Sequence, residues 1–253
     1  MCTFEKFLAK YAFLEEGKGL LGAEIEFFLT KDRDSFEPVP QVAEFLERMD
    51  KKVWGYELSA CQVEYHTNPA KTVAEVVADL RAGWRAGVAR ASEIGRVLVA
   101  KEVAPANMSL AVYEEDARYV ALAKTLPENV LRAACQVAGT HLHIGVGNFS
   151  EALCVYNKLA EYTEEFIVAG DHSNGERIRL YQVMAPNARP PRYASLEQLY
   201  ETAKDQRFVD DPRSCYHFVR FNPKGTVEIR AYGTTNNFEE VRQWLERIRE
   251  ILE

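Results

Sequence analysis

Four short stretches of the sequence carry ionisable side chains at alternating positions. They are GAEIEF with Glu24 and Glu26, QVEY with Gln62 and Glu64, GTHLHIG with His141 and His143, and GTVEIRAY with Glu228 and Arg230. On a strand, side chains at i and i+2 point to the same face and lie about 7 Å apart. Each pair therefore shares one face, opposite apolar neighbours such as Ile25, Leu142 and Ile229.

Glu57 is the fifth candidate carboxylate, seven residues before Glu64. Because seven is odd, a regular strand would place these two side chains on opposite faces. A bulge or turn in the intervening LSAC segment is needed to bring them together.

Carboxylates that lie a few ångströms apart repel one another unless cations lie between them. Oxygen-rich ligation with a single nitrogen suits Mg²⁺ or Mn²⁺, whereas a tetrahedral zinc site favours several His or Cys. A single strand of this kind is usually the solvated face of a two-faced sheet. The pooled set of five carboxylates, two imidazoles and one arginine favours a metal cluster instead.

Arginines could supply planar cations for phosphate or carboxylate oxygens. Arg230 shares a strand face with Glu228, Arg220 lies in the preceding strand, Arg179 lies in SNGERIRLY and Arg118 in DARY. Any one of them alone is more often a surface arginine or part of a structural ion pair. We assign His66 and His217 to core or surface roles.

Alternation and helical spacing predict the elements that must position these residues. Strands are predicted over 20–30, 55–67 and 138–147, with two more in 215–233 joined by a turn at 222–225. Helices are predicted over 41–50, over 195–204 and from Ser150 to about Ala169. Two more are predicted to begin at a capping box of Thr72 and Glu75 and at Asn237. The segments 31–40 and 171–193 are predicted to be irregular. This mixture predicts an α+β fold with helices against one face of a mainly antiparallel sheet. No repeat or linker interrupts it, so we expect a single domain over residues 1–253.

Composition narrows the class of partner. The chain has 253 residues with 31 Lys and Arg against 38 Asp and Glu, a formal charge of −7, which argues against nucleic-acid binding. No apolar run reaches the roughly 18 residues of a membrane span, and the N-terminus does not resemble a signal peptide. Five scattered cysteines fit reduced thiols. We therefore expect a cytoplasmic protein without membrane partners.

The order of the motifs GAEIEF, YELSACQVEYHTNP, GTHLHIGV and GTVEIR resembles the glutamate–cysteine ligase family. The resemblance is to its carboxylate–amine ligase branch, which is related to the amidoligases. It implies a catalytic domain like that of glutamine synthetase, with a curved antiparallel sheet and helices on the outer face. It also implies two or three Mg²⁺ (or Mn²⁺) ions around the phosphates of ATP, held by Glu24, Glu26, Glu57, Glu64, His141 and Glu228.

By the same resemblance, Arg230 and Glu228 are the catalytic candidates, and Arg230 faces the transferred phosphate. Arg118 lies at an R-Y pair that the family shares. The candidates for nucleotide or substrate contacts are Arg118, His143, Arg179, Arg220 and Arg230.

The leading functional hypothesis is an ATP-dependent carboxylate–amine ligase that forms an amide through an acyl phosphate. The resemblance implies small-molecule substrates, with glutamate and cysteine as the family default; another amine fits equally well, and the sequence names neither the carboxylate nor the amine. One alternative is a metal-dependent hydrolase that uses the His141 and His143 pair. Another is a non-catalytic nucleotide- or metal-binding module. We also consider a homo-oligomer, in which an exposed sheet edge or the helix that carries Trp244 would pair the subunits.

Overall fold

One open antiparallel sheet organises the computed structural model, which describes residues 2–32 and 34–253. The described strands are β1 (Leu21–Thr30), β2 (Trp54–Tyr56), β3 (Gln62–His66), β4 (Val97–Val99), β5 (Gly139–Gly145), β6 (Val219–Asn222) and β7 (Thr226–Gly233). Their order is β2-β3-β1-β5-β7-β6, and β4 pairs with the end of β1. Every pairing is antiparallel, so the predicted α+β class and sheet type are confirmed.

Helices surround this sheet. They are α1 (Phe4–Leu8), α2 (Val42–Leu46), α3 (Val73–Glu93), α4 (Ala117–Thr125), α5 (Glu128–Gln136), α6 (Phe149–Ala160), α7 (Thr163–Ala169), α8 (Glu176–Met184), α9 (Leu196–Asp205) and α10 (Phe238–Leu252). No helix in the described parts of the chain has both the length and the apolar character to cross a membrane.

The central strand β1 separates an apolar face from a polar one. Ala23, Ile25 and Phe27 are buried in the hydrophobic core. Between them, Glu24 pairs with His66 on one side and with His141 on the other, and Glu26 pairs with Glu64. Residues directly opposite one another in antiparallel strands share a face. The register therefore merges the predicted polar faces into one.

Helix α3 covers the apolar face and begins as predicted. Thr72 accepts a hydrogen bond from the Glu75 backbone N–H, and the Glu75 side chain accepts one from the Thr72 backbone. At Gly83, a Cβ would fall within the ring of Tyr65, whose hydroxyl donates to Asp79 Oδ1 at 2.6 Å. Glycine thus allows the helix to approach the sheet closely.

We predict that Gly83→Ala destabilises the protein, although alanine favours the helix by about 1 kcal/mol. Overpacking against the hydrogen-bonded Tyr65 ring should cost about 1–3 kcal/mol, so the net free energy of unfolding should fall by about 1 kcal/mol. Urea unfolding measures this change as a shift of the midpoint, provided that the denaturant dependence of the free energy stays the same. The control is Arg85→Ala, at an exposed position of the same helix. An unchanged or higher unfolding midpoint for Gly83→Ala would contradict the packing argument.

Several predicted boundaries differ from the structure. The strand predicted over 55–67 is two strands, β2 and β3, joined by a turn. Asn148, not Ser150, caps α6, because its side chain accepts from the Glu151 backbone N–H. The helix then ends at Ala160, and α7 begins anew at Thr163. The segment 171–193 was predicted to be irregular but contains α8, which Gly175 opens with a left-handed φ of 80°. The helix predicted over 41–50 is limited to Val42–Leu46.

Candidate active site

The hairpin between β2 and β3 brings Glu57 to the polar face. Gly55 pairs with Glu64, and the Glu57 backbone N–H donates to the Gln62 carbonyl at 3.3 Å. The chain turns through Leu58–Cys61, so Glu57 lies opposite Gln62 and on the face of Glu64. The LSAC turn is therefore the irregularity that the odd spacing required.

His141 lies at the centre of the carboxylates. Its Nδ1 is 3.6 Å from Glu24 Oε2 and 3.8 Å from Glu228 Oε1, and its Nε2 is 3.4 Å from Glu26 Oε1. Three sets of potential ligand atoms each lie within 4.8 Å of one another. They are Glu24, His141 and Glu228; Glu26, Glu64 and His141; and Glu24, Glu64 and His66.

The electrostatics of the cluster favour a bound cation. Burial raises the pKa of Glu57 well above its usual value, and the Glu64 and Glu26 carboxylates add to that rise. Burial also raises the pKa of Glu26, and Glu64 adds to this rise although His141 opposes it. Mostly carboxylate donors with one or two imidazoles are the donor set of Mg²⁺ or Mn²⁺. The residues present therefore fit these ions.

We predict that Mg²⁺ binding to this cluster releases protons and tightens as the pH rises. The raised pKa values of Glu57 and Glu26 mean that protons compete with the metal for these oxygens. The competition should persist above about pH 5, beyond the ordinary titration range of glutamate. Calorimetric titrations in buffers of different ionisation enthalpy measure the protons released. An affinity that does not change between about pH 5 and 8 would contradict the prediction.

Glu228 is fully buried and is held by two guanidinium groups. Arg220 donates to both carboxylate oxygens at 2.7 and 3.1 Å, Arg230 Nη1 donates to Oε1 at 2.6 Å, and Asn222 donates to Oε2 at 2.6 Å. Burial raises the pKa of Glu228, but the charges of Arg220 and Arg230 outweigh it and hold that pKa well below its usual value. Glu228 is thus ionised and fixed in orientation.

The other predicted nucleotide or substrate residues have different surroundings. His143 Nδ1 lies 2.9 Å from Thr226 Oγ1, and its Nε2 lies 3.5 Å from Glu24 Oε2. Arg118, near the start of α4, approaches Asp211 at 3.8 Å and lines a cavity at the cluster. Arg179 does not join the site, because it is exposed and its guanidinium donates to Glu176 at 2.6 and 3.1 Å.

His66 is a member of the cluster that the sequence analysis missed. Its Nδ1 lies 3.0 Å from Glu24 Oε1 and its Nε2 lies 2.7 Å from Glu64 Oε2. Burial lowers its pKa, but the two carboxylates outweigh it and raise the pKa to about 11. The alternation of Gln62, Glu64 and His66 is the signal that could have identified it. His217, in contrast, is buried and bonded to Gln206, as the core assignment expected.

The described residues form two cavities that adjoin the cluster. The one that we call the substrate cavity measures about 450 Å³ and is lined by Glu26, Glu57, Glu64, Arg118 and Arg230, among others. The one that we call the lysine cavity measures about 650 Å³ and is lined by Lys51, Lys52, Lys224, Trp54 and His143, among others. Glu24, His66 and Lys224 line both. The carboxylate cluster therefore forms the boundary between two binding spaces.

Comparison with one solved structure supports the fold. A bifunctional glutathione synthetase from Pasteurella multocida superposes with a TM-score of 0.60 at 11% identity over 93% of this chain. The chain spans 38% of the length of that protein. A glutamine synthetase from Plasmodium falciparum superposes with a TM-score of 0.48 at 10% identity, over 98% of this chain and 54% of the other.

A search of curated proteins finds no match to the chain. A family model, in contrast, matches residues 20–163, which is more than half of the chain. The matched stretch includes the strands that carry Glu24, Glu26, Glu64 and His141. Its description is glutamate–cysteine ligase family 2, and the chain belongs to that family.

Proposed function

We propose that the protein is an ATP-dependent carbon–nitrogen ligase that joins a carboxylate to an amine through an acyl phosphate. The observation that carries this proposal is the carboxylate cluster between two cavities, one lined by lysines and the other by arginines. Such a cluster can hold metal-bound phosphates between a nucleotide on one side and a substrate on the other. Membership of glutamate–cysteine ligase family 2 supports the same class of reaction.

Glu24, Glu26, Glu57, Glu64, His141 and Glu228 would hold two or three Mg²⁺ or Mn²⁺ ions. Such ions neutralise phosphate charge and keep the reacting oxygens in line.

The lysine cavity suits ATP. Lys51, Lys52 and Lys224 surround it, and Lys224 Nζ lies 3.7 Å from Glu24 Oε1 at the edge of the cluster. His143 Nε2 is buried and makes no hydrogen bond to the described residues, and its 3.5 Å approach to Glu24 Oε2 leaves it able to donate to a phosphate oxygen. We therefore place the nucleotide in this cavity, with its terminal phosphate directed toward the cluster.

Arg230 orients the transferred phosphate in this proposal. Its Nη1 donates to Glu228, its Nε donates to the Tyr181 hydroxyl at 3.3 Å, and it lines the substrate cavity. Arg118 lines the same cavity and can receive the substrate carboxylate. A carboxylate oxygen attacks the γ-phosphorus and ADP leaves; the amine nitrogen then attacks the acyl carbon, and phosphate leaves as the nitrogen loses a proton.

Oxygen-18 in the carboxylate tests this mechanism. With Mg²⁺, ATP and hydroxylamine as a general amine, one labelled oxygen per turnover should appear in phosphate, together with a hydroxamate product. Amide hydrolysis without ATP would favour the alternative of a metal-dependent hydrolase. Binding of Mg-ATP without ADP formation across acids and amines would favour a non-catalytic module.

We also infer that residues 1–253 act as one catalytic domain. One hydrophobic cluster includes Phe7 of α1, Phe27 of β1, Leu80 of α3 and Ile251 of α10. Residues from both ends of the chain thus contribute to the same core.

A further inference from the structure

The substrate cavity has a second end that is apolar. Helix α4 lines the cavity with Arg118 and Tyr119 near its start and with Leu122 one turn later, and Leu126 follows at its end. Helix α5 adds Val130 and Ala134, again one turn apart. The wall formed by α4 thus changes from cationic to hydrocarbon along the helix, and the wall formed by α5 is apolar.

The polar end of these walls lies at the carboxylate cluster. The nearby Glu57 carboxylate, together with burial, raises the pKa of Tyr119. At the end of α5, the Val137 carbonyl accepts from Gln62 Nε2 at 2.7 Å, and the Gly139 N–H donates to Glu26 at 2.6 Å. At 1.5 Å per residue, the wall from Tyr119 to Leu126 is about 10 Å long.

Helix α4 has no buried residue, so its apolar side chains do not serve the protein core. Leu122 and Leu126 are only partly exposed because they face the cavity. Helices α5 and α8, by contrast, pack together through Ala133, Val137 and Leu180. One wall of the cavity, on α5, is therefore fixed by packing against α8, whereas the apolar wall on α4 is open to a ligand.

The cations that line the cavity within the described residues have partners already. Arg220 and Arg230 bind Glu228, Arg213 binds Asp211, and Arg177 donates to the carbonyls of Ala138, Arg230 and Ala231. The two least engaged cations lie at the polar end: Lys224 approaches Glu24 at 3.7 Å beside the cluster, and Arg118 approaches Asp211 at 3.8 Å and the Tyr119 ring at 4.7 Å. One substrate carboxylate can be received there, whereas a second charge would lie against Leu122 and Leu126 without a partner.

We propose that the acid substrate is a monocarboxylic acid with an apolar body, which lies against Leu122, Leu126 and Val130 while its carboxylate faces Arg118 and the cluster. This inference rests on the proposed ligase function and names its substrate class. It distinguishes the protein from a ligase for glutamate, whose α-ammonium and α-carboxylate would both be buried against hydrocarbon.

Calorimetric binding of acids tests this inference without requiring turnover. The protein is saturated with Mg²⁺ and a non-hydrolysable ATP analogue, and acetate, butyrate, hexanoate, octanoate and glutamate are titrated separately. We expect affinity to rise up to about fourfold per methylene, the factor that corresponds to about 0.8 kcal/mol, with glutamate no tighter than acetate. No rise with chain length, absent binding included, or tighter binding of glutamate than octanoate overturns the inference.

Two substitutions in α4 test whether the apolar wall of the substrate cavity causes the rise of affinity with acid chain length. Leu122→Asn should weaken octanoate binding roughly tenfold and leave acetate within about twofold. Val120→Asn is the matched control, because Val120 is partly buried on the same helix but lines neither cavity. Equal effects of the two substitutions on octanoate would overturn the assignment. Failure of the ligase proposal would be seen separately, as octanoate binding without hydroxamate formation.

Discussion

Replacement of Glu57 by glutamine is expected to stabilise the metal-free protein while it abolishes ligation. Glu57 is held among Glu64 and Glu26, and burial together with these two carboxylates raises its pKa well above the usual value. Glutamine keeps the size and polarity of the side chain but removes the charge. The substitution therefore removes repulsion from the fold and one oxygen ligand from the cluster.

The sign of the stability change follows from proton linkage. The folded protein binds the Glu57 proton more tightly than the unfolded chain does, so stability falls as the pH rises beyond the ordinary glutamate range. The glutamine variant does not lose stability in this way, because its side chain has no proton to release. Its advantage in free energy of unfolding should be small near about pH 4 and should grow from about pH 5 toward neutrality.

Urea unfolding without metal at several pH values, together with ADP formation at saturating Mg-ATP, measures both effects. Turnover should fall about a hundredfold or more, because even residues outside the ligand shell of metal sites cost 10- to 100-fold. The stabilising effect of Mg²⁺ on unfolding should also shrink. The exposed Glu114→Gln is the control. A variant with lower stability at neutral pH, or with near-normal turnover, contradicts the assignment of Glu57.

The alternation of side chains predicts the central part of the site because strand periodicity is a local property. Glu24 and Glu26, His141 and His143, and Glu228 and Arg230 each needed only the two-residue period to share a face. Which pairs become neighbours depends on register between distant strands. The pairing of Glu24 with both His66 and His141 depends on that register, so only the structure shows it.

The residues that were missed lie where the local pattern ends. His66 is the last residue of β3 and continues the alternation of Gln62 and Glu64, but its role depends on Glu24, 42 positions earlier. Helices α4 and α5 were not predicted, and α4 has no buried face to produce an apolar stripe. Their apolar residues face a cavity, so their pattern reflects a ligand space instead of the core.

The second expected result concerns Arg230, which we expect to support phosphate transfer more than nucleotide binding. Arg230→Lys keeps the positive charge, but a single ammonium cannot reproduce a planar group that donates to Glu228 and Tyr181 at once. Loss of an arginine that stabilises a transferred phosphoryl group costs about a thousandfold or more in turnover. We therefore expect kcat to fall by about that factor, with the KM for ATP within a few-fold.

Steady-state ADP release and thermal unfolding with saturating Mg-ATP separate the two effects. Glu228 keeps its two hydrogen bonds from Arg220 in the variant, so the fold should persist with reduced thermal stability. A KM that rises as much as kcat falls would instead show that Arg230 acts in nucleotide binding.

Arg179→Lys is the matched control, because Arg179 shared with Arg230 the expectation of a nucleotide or substrate contact. The sequence analysis named both arginines as contacts and Arg230 alone as catalytic, and the structure places Arg230 at the buried Glu228 and Arg179 in an exposed ion pair with Glu176. Exposed pairs contribute about 0–1 kcal/mol and hold no reacting group, so Arg179→Lys should leave turnover unchanged. Equal losses in both variants would mean that helix α8 moves Arg179 into the site during turnover, and the arrangement of arginines described above would then be incomplete.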